Sequence, residues 1–580
     1  MIHDIQGQIA PEARASETTR RDALLWIGGL ALLTLLSRLL FSSKWLFHWD
    51  SVNFALGMQH FDMRLHQPHP PGYFFYVVIA DLVNLFVNDP NTSLVLLSLL
   101  FSILGVVFLF FLGLEMFGLS AAIIAALLFV SSPNIWFHGS VALPRTIEVF
   151  LSLAVALMCY RLAKGDSRFF LPTAAVIALA GGFRQQIPIF LLPLWVWVAW
   201  PQPLRRWVMA GAIGVLVTLA WAVPLLALSG GLEGSLDALK YLWNMGAAGY
   251  SDETFFGSGV GLWVSKLLRF GVYTFFGLTL SALVFLYLPA WRAAWRSMRA
   301  QNSRFMLIWM IPALLVTINW VWQPGHVLFF LPPLFLLIGH IVPLIGQAIA
   351  RRRSGTAARW IWALIAILIG ANALFFVGAP RLLFDRDGML TTSLSAQTIR
   401  HTDTFLEMRV AAVRDHFMPE STAVFSGGLY YRHPDYYLAD YQYTWLSHQA
   451  SSKPVILSEA VRTLVLFTDD MLVRVDDPAI VESLALPDGS LLFFISADEG
   501  QVFRVSDSTI TLVSASEPVE FPRKSGVEEK AIHSSREDEP WEAHDGNTRR
   551  NSSWKPFGCM RRVARASRRS SAIWTSRPAC

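Results

Sequence analysis

Residues 23–50 read ALLWIGGLALLTLLSRLLFSSKWLFHWD: an apolar run from Ala23 to Phe41, then a short polar stretch that reaches a carboxylate at Asp50. A helix needs about 20 mainly apolar residues to cross the hydrocarbon of a bilayer, and Ala23–Phe41 is about that long. Arg14, Arg20 and Arg21 precede the run and no small-residue cleavage site follows it, so it reads as a retained first span and not as a signal peptide. Runs of the same kind recur to residue 378 with little polar sequence between them.

Composition agrees. Of 580 residues 54% are hydrophobic and 15% charged, where a soluble domain has about 25% charged, and the mean hydropathy is +0.44. That excess of apolar side chains requires lipid to cover it. The net charge of +5 is bunched into particular loops, so it reports orientation in the membrane and gives no support to a nucleic-acid partner. Cys159, Cys559 and Cys580 form neither a CxxC pair nor a disulfide framework.

Short basic loops stay in the cytoplasm. Arg14/Arg20/Arg21, Arg161/Lys164/Arg168, Arg205/Arg206, Arg292/Arg296/Arg299/Arg304 and Arg351/Arg352/Arg353/Arg359 therefore set one face. Spans near 146–162, 171–183, 187–200, 206–228, 265–289, 305–322, 327–347 and 360–378 then alternate without conflict. Between 72 and 134, both on the outer side, an even number of crossings is required, yet there are three apolar runs, 73–87, 93–112 and 119–133. One of the three is expected to be half-crossing or re-entrant. The expected fold is thus a polytopic α-helical membrane protein of about 11–13 spans. It comprises a cytoplasmic N-terminus (1–22), a transmembrane domain (23–379) and a small α/β outer domain (380–521), whose strand-like runs include Thr422–Phe425, Thr463–Phe467 and Leu491–Ile495. Residues 522–580 are poor in aliphatic side chains and end in a run of arginines; this basic tail is expected to be disordered.

The densest polar cluster lies in the first outer loop, 42–72. It runs Phe47-His48-Trp49-Asp50-Ser51 and continues to His60, then to His66-Gln67-Pro68-His69-Pro70-Pro71-Gly72. Tethered to the bilayer at both ends, this loop keeps its carboxylates at headgroup level. Asp50 reads either as a general base for a hydroxyl or as the N-cap of a helix over 52–59. The histidine spacing matches no standard ligand set, so no metal or other cofactor is expected; a divalent metal stays open but is disfavoured. Arg145, with Glu148, and Arg184-Gln185 bring further polar groups to the same face, where intramembrane ionisable residues are costly and functional by default. Arg145 fits a pair with Glu148 at i, i+3 or a role in binding. Arg184 fits a snorkelling surface residue or a phosphate contact. His326, in the turn Gln323-Pro324-Gly325-His326, is a further candidate.

Three features together resemble the GT-C class of membrane glycosyltransferases, in the branch of protein O-mannosyltransferases and lipid A aminoarabinose transferases. They are Asp50 just after the first span, His69-Pro70-Pro71 entering the second, and a Pro-rich late span (Pro332, Pro333) after an outward turn with His326. The resemblance implies a polyprenyl-phosphate sugar as donor, Asp50 as the catalytic base, and His69 and Arg184 at positions that hold the donor; His66, Arg145, Gln185 and His326 are expected as further donor or substrate contacts. Two departures leave the sugar and acceptor open: Ser51 stands where the mannosyltransferases have a second acid, and Pro68 where the aminoarabinose transferases have one. The expected function is inverting transfer of a hexosyl or pentosyl group to a glycan, lipid or protein hydroxyl on the periplasmic or outer side of a bacterial-type plasma membrane. The alternative is a multispanning transporter or lipid flippase with an outer binding domain. It is disfavoured because the ionisable residues gather at one interface and the sequence shows no related halves.

Overall fold

The structure is a computed structural model that describes residues 17–250, 260–298, 300–319, 323–352, 355–378, 394–427, 430–445, 455–457, 460–468, 474–506 and 509–514. The tail 522–580 and the basic residues Arg14, Arg299 and Arg353 lie outside the described residues. Helices occupy most of the chain to residue 377. They are α1 (Glu17–Leu40), α2 (Trp49–Gln59), α3 (Phe74–Val87), α4 (Pro90–Phe117), α5 (Leu119–Ser131), α6 (Pro133–His138), α7 (Arg145–Ala163), α8 (Phe170–Phe183), α9 (Gln186–Ala199), α10 (Leu204–Leu228), α11 (Gly231–Tyr250), α12 (Val260–Leu278), α13 (Leu288–Ser297), α14 (Ala300–Asn319), α15 (Leu331–Ala350) and α16 (Ala357–Val377).

Among the described residues, eight helical stretches are long and apolar enough to cross a membrane. Four shorter apolar helices, Phe74–Val87, Leu119–Ser131, Ser167–Phe183 and Gln186–Ala199, accompany them. The chain is a polytopic helical membrane protein. α7 is buried along most of its length, whereas α1 and α10 turn leucines and valines outward, with Leu25 66% and Leu216 67% exposed. Such apolar faces are stable only in lipid.

Helix boundaries follow local chemistry. Asp89 caps α4 by accepting from the Thr92 N–H at 2.8 Å, with Pro90 at the first helical position. Gly118, at φ +87°, ends α4 and starts α5, a backbone conformation that favours glycine.

The parity conflict resolves at α3. The far end of the bundle is knit where Arg161 Nε meets Glu115 Oε1 at 2.8 Å and Asn302 donates to the Met116 carbonyl at 3.2 Å. α4 runs from there to the opposite end, where Asn91 donates to the Ser43 carbonyl at 2.9 Å. α3 begins beside the first loop, with the Tyr73 ring 5.0 Å from His69. It ends at the same level, with Asn84 Oδ1 accepting from Ser93 at 3.2 Å. So α3 leaves and returns on one end while α4 and α5 cross.

After α16 comes a helix–sheet–sheet domain. The expected strands are present as β1 (Thr422–Ser426), β4 (Thr463–Phe467) and β7 (Leu491–Ser496), with β2 (Gln442–Trp445) and β6 (Val481–Ala485) completing the order β2-β1-β4-β7-β6. β1 is parallel to β2 and β4, and β7 is antiparallel to β4 and β6. Successive strand residues point to opposite faces. Val424, Val465 and Phe467 accordingly pack on Phe405, Leu406 and Val413 of the helix Ala396–His416. Ala423, Phe425 and Leu464 face the second sheet, formed by β3 (Val455–Ile456), β8 (Gln501–Ser506), β9 (Thr509–Ser514) and β5 (Arg474–Val475).

The path of α3 is tested by labelling cysteines at exposed positions with a membrane-impermeant maleimide. Lys44→Cys and Asn88→Cys are expected to react from one face of sealed vesicles and Lys164→Cys only from the other. Reaction of Asn88→Cys with the Lys164 face would make α3 a full crossing.

Candidate active site

The first loop folds into two arms. In one, His48 is the N-cap of α2: its Nδ1 accepts the Asp50 N–H at 3.1 Å, and Ser51 Oγ accepts from the His48 N–H at 3.3 Å. Asp50 is therefore not the cap; it sits inside the first helical turn, where the free N–H groups favour a carboxylate. The helix starts three residues before the expected one, because an imidazole takes the capping role expected of the carboxylate. In the other arm, the Asp62 N–H donates to the Gln67 carbonyl at 2.6 Å and the Gln67 N–H returns to the Asp62 carbonyl at 3.0 Å. The turn 66–72 that follows contains cis Gln67–Pro68 and Pro70–Pro71 bonds. Gly72, at φ +110°, leaves no space for a side chain, since a Cβ there would lie 2.7 Å from Met63 Sδ and from Leu225.

The arms meet at Asp50. Its Oδ2 lies 3.5 Å from His48 Nδ1 and its Oδ1 3.4 Å from His69 Nδ1. Burial alone would raise the Asp50 carboxyl, but His69, His48, Arg145 and Arg184 outweigh it and hold the group below its ordinary value, so it is ionised at neutral pH. Burial pushes His48 down to about 4 and lowers His69, so both imidazoles are neutral there. His66 is also pushed down to about 4, by burial first, then by His69 and Arg432.

Behind this carboxylate lies a largely buried charge cluster. Arg145 donates to Glu148 at 3.1 Å and, more weakly, to Gln323 Oε1 at 3.4 Å. Arg184 NH1 sits 2.7 Å from both Glu148 oxygens. Arg184 is 11% exposed in its side chain, which removes the snorkelling alternative. Arg145 Nε is buried without a hydrogen-bond partner. Gln185 donates to the Pro71 carbonyl at 2.9 Å, which ties the α8–α9 turn to the Pro-Pro turn.

Two residues outside the expected set belong here. Gln323 bridges Arg145 to His48, 3.3 Å from its Nε2. Titratability alone favours the histidine of that turn, but His326 closes the turn itself, its Nδ1 3.4 Å from the Gln323 N–H. The second residue is His138. Its Nδ1 lies 2.9 Å from the Asn134 carbonyl, and its other nitrogen is close enough to Arg145 that a Cβ on Gly325 would lie 2.8 Å from His138 Nε2 and 2.9 Å from Arg145 Nε. No sequence motif marks either residue. Among the described residues there is no group of three or more His, Cys, Asp or Glu side chains placed to hold a metal ion.

No family model matches the chain, and no curated protein does. Among solved structures it aligns with ArnT from Cupriavidus metallidurans bound to undecaprenyl phosphate, at 14% identity and a TM-score of 0.48, over 82% of this chain and 97% of that one. It also aligns with the archaeal oligosaccharyltransferase AglB from Archaeoglobus fulgidus in complex with an inhibitory peptide and a dolichol-phosphate, at 12% identity and a TM-score of 0.44, over 78% of this chain and 70% of that one.

Glu148 is the carboxylate shared by two guanidiniums, so Glu148→Gln strands both. Breaking a buried pair costs about 3–5 kcal/mol, and chemical denaturation of the detergent-solubilised variant is expected to show a loss of that order. Wild-type stability would mean that the two arginines find other partners.

Proposed function

We propose that the protein is a membrane glycosyltransferase that moves a sugar from a polyprenyl-phosphate donor to an acceptor hydroxyl. The observation that carries this reading is a largely buried Asp50, 3.5 Å from His48 and 3.4 Å from His69 and under the charge of Arg145 and Arg184, at one end of a lipid-facing bundle. We place the reaction on the outer face of a bacterial-type plasma membrane, with 23–379 as the transmembrane domain and 380–521 as the outer domain.

In this reading Asp50 takes the proton of the acceptor hydroxyl as its oxygen attacks the anomeric carbon. The bond from that carbon to the phosphate oxygen breaks, and its electron pair leaves with the polyprenyl phosphate. Attack opposite the leaving group inverts the anomeric centre. Arg184 and Arg145, with His69 beside Asp50, face the developing phosphate charge from a preorganised, water-poor site, where such donors act most strongly. Glu148 neutralises one of the two guanidiniums and leaves the other for the phosphate. An apolar cavity of about 380 Å³, lined by Ala174, Ile177, Pro188, Trp195 and Trp221 and headed by Gln185, lies between α8, α9 and α10. It offers the first isoprene units of the carrier a path into lipid. His66 and His326 remain as substrate contacts in this proposal, and no step requires a metal or cofactor.

Asp50→Asn keeps the side-chain shape and leaves the His48 cap intact, while removing the proton acceptor. Turnover is expected to fall about 100-fold to 10,000-fold with folding unchanged; wild-type turnover in folded protein would exclude Asp50 as the base. The pH profile gives a second test. A carboxyl held below its ordinary value, about 3.9, stays ionised until pH falls through that lower value, so turnover should persist from about pH 8 to about pH 5. A loss centred near pH 6.5, about the ordinary histidine value and above the lowered values of Asp50, His48 and His69, would contradict this arrangement.

A further inference from the structure

We infer that Arg432, in the C-terminal domain, is a positioning residue for the Asp50 site, so that this domain completes the active site and is not a separate binding module. The inference rests on the reading of Asp50 as the base.

The contact runs along the whole first loop. Asp403, on the helix Ala396–His416, accepts from Ser43 Oγ at 2.9 Å, from the Lys44 N–H at 3.0 Å and from the Trp45 N–H at 3.1 Å. Tyr437 Oη accepts the Leu46 N–H at 2.9 Å, and His433 Nε2 lies 2.7 Å from the Leu46 carbonyl. Tyr431 packs on Trp49 with ring centroids 5.8 Å apart. These contacts hold the segment that leads into α2.

Arg432 does something different, because it reaches both arms at once. Its Nε donates to Asn53 Oδ1 at 3.1 Å and its NH2 to the Leu65 carbonyl at 2.9 Å, while NH1 pairs with Asp435 at 3.1 Å. Asn53 is 1% exposed and lies three residues after Asp50, on the same face of α2. Leu65 precedes His66, the left-handed residue at φ +57° that opens the turn carrying His69. The separation of Asp50 from His69 therefore depends on how α2 sits against that turn, and Arg432 spans the two. All three guanidinium nitrogens are engaged within the protein. A lysine has one nitrogen and cannot span three acceptors.

A misplacement of about 1 Å in a catalytic group costs about 100-fold in rate. The test compares full-length wild type, Arg432→Ala, Arg432→Lys and Asn53→Ala, purified in detergent, by hydrogen exchange over residues 52–66 and by turnover of a polyprenyl-phosphate sugar. Both Arg432 variants are expected to exchange faster over 52–66, with α4 and α7 unchanged. Their kcat is expected to fall about 10-fold to 100-fold with the donor KM nearly constant. The double variant Asn53→Ala/Arg432→Ala should behave like Arg432→Ala, since the hydrogen bond to Asn53 is already lost with the guanidinium. Unchanged exchange in Arg432→Ala, or full rescue of kcat by lysine, would overturn the inference. Should Arg432→Ala not fold, Arg432→Lys and Asn53→Ala carry the same comparison. If wild type transfers no sugar, the transferase reading fails, while the exchange measurement still decides whether Arg432 orders the loop.

Discussion

Glu148 is shared between Arg145 and Arg184, at 3.1 and 2.7 Å, in a place where little water reaches. Two like charges could not stay buried together without that carboxylate. Through Gln323 the same cluster reaches His48, the cap of α2, and through the Arg184-Gln185 turn it reaches Pro71. Four separate parts of the chain are thereby fixed around Asp50, and the helices that carry them are held in register at that end.

Much of the fold was legible because composition and periodicity act locally. Most apolar runs became helices within a few residues of their expected bounds, and Thr463–Phe467 became β4 without a shift, whereas the run 265–289 is divided between α12, which ends at Leu278, and a 3-10 helix over Thr279–Leu286. The role of α3 was not legible. A short apolar helix that returns to its own side has the same composition as a span, and only the contacts of Asn84 and Asn91 separate the two.

The site was legible in part. Asp50, His69, Arg145, Arg184 and Gln185 come together, but their wiring was hidden in the sequence. Whether His48 or Asp50 caps α2 depends on which backbone N–H each side chain reaches, and residue type does not decide that. Gln323 carries no charge, and residue type gives it no weight beside His326. Arg432 lies 379 residues from Asn53, a pairing that only the folded chain brings about.

Everything proposed for Asp50 turns on the transfer reaction itself. Its most direct measurement incubates the purified full-length protein in detergent with a panel of polyprenyl-phosphate sugars and a cell-envelope extract as acceptor, following release of free polyprenyl phosphate and the anomeric configuration of the product. Turnover of at least one donor with inversion is the predicted result. Retention at the anomeric carbon, or transfer from nucleotide sugars with none from any lipid-phosphate donor, would contradict it.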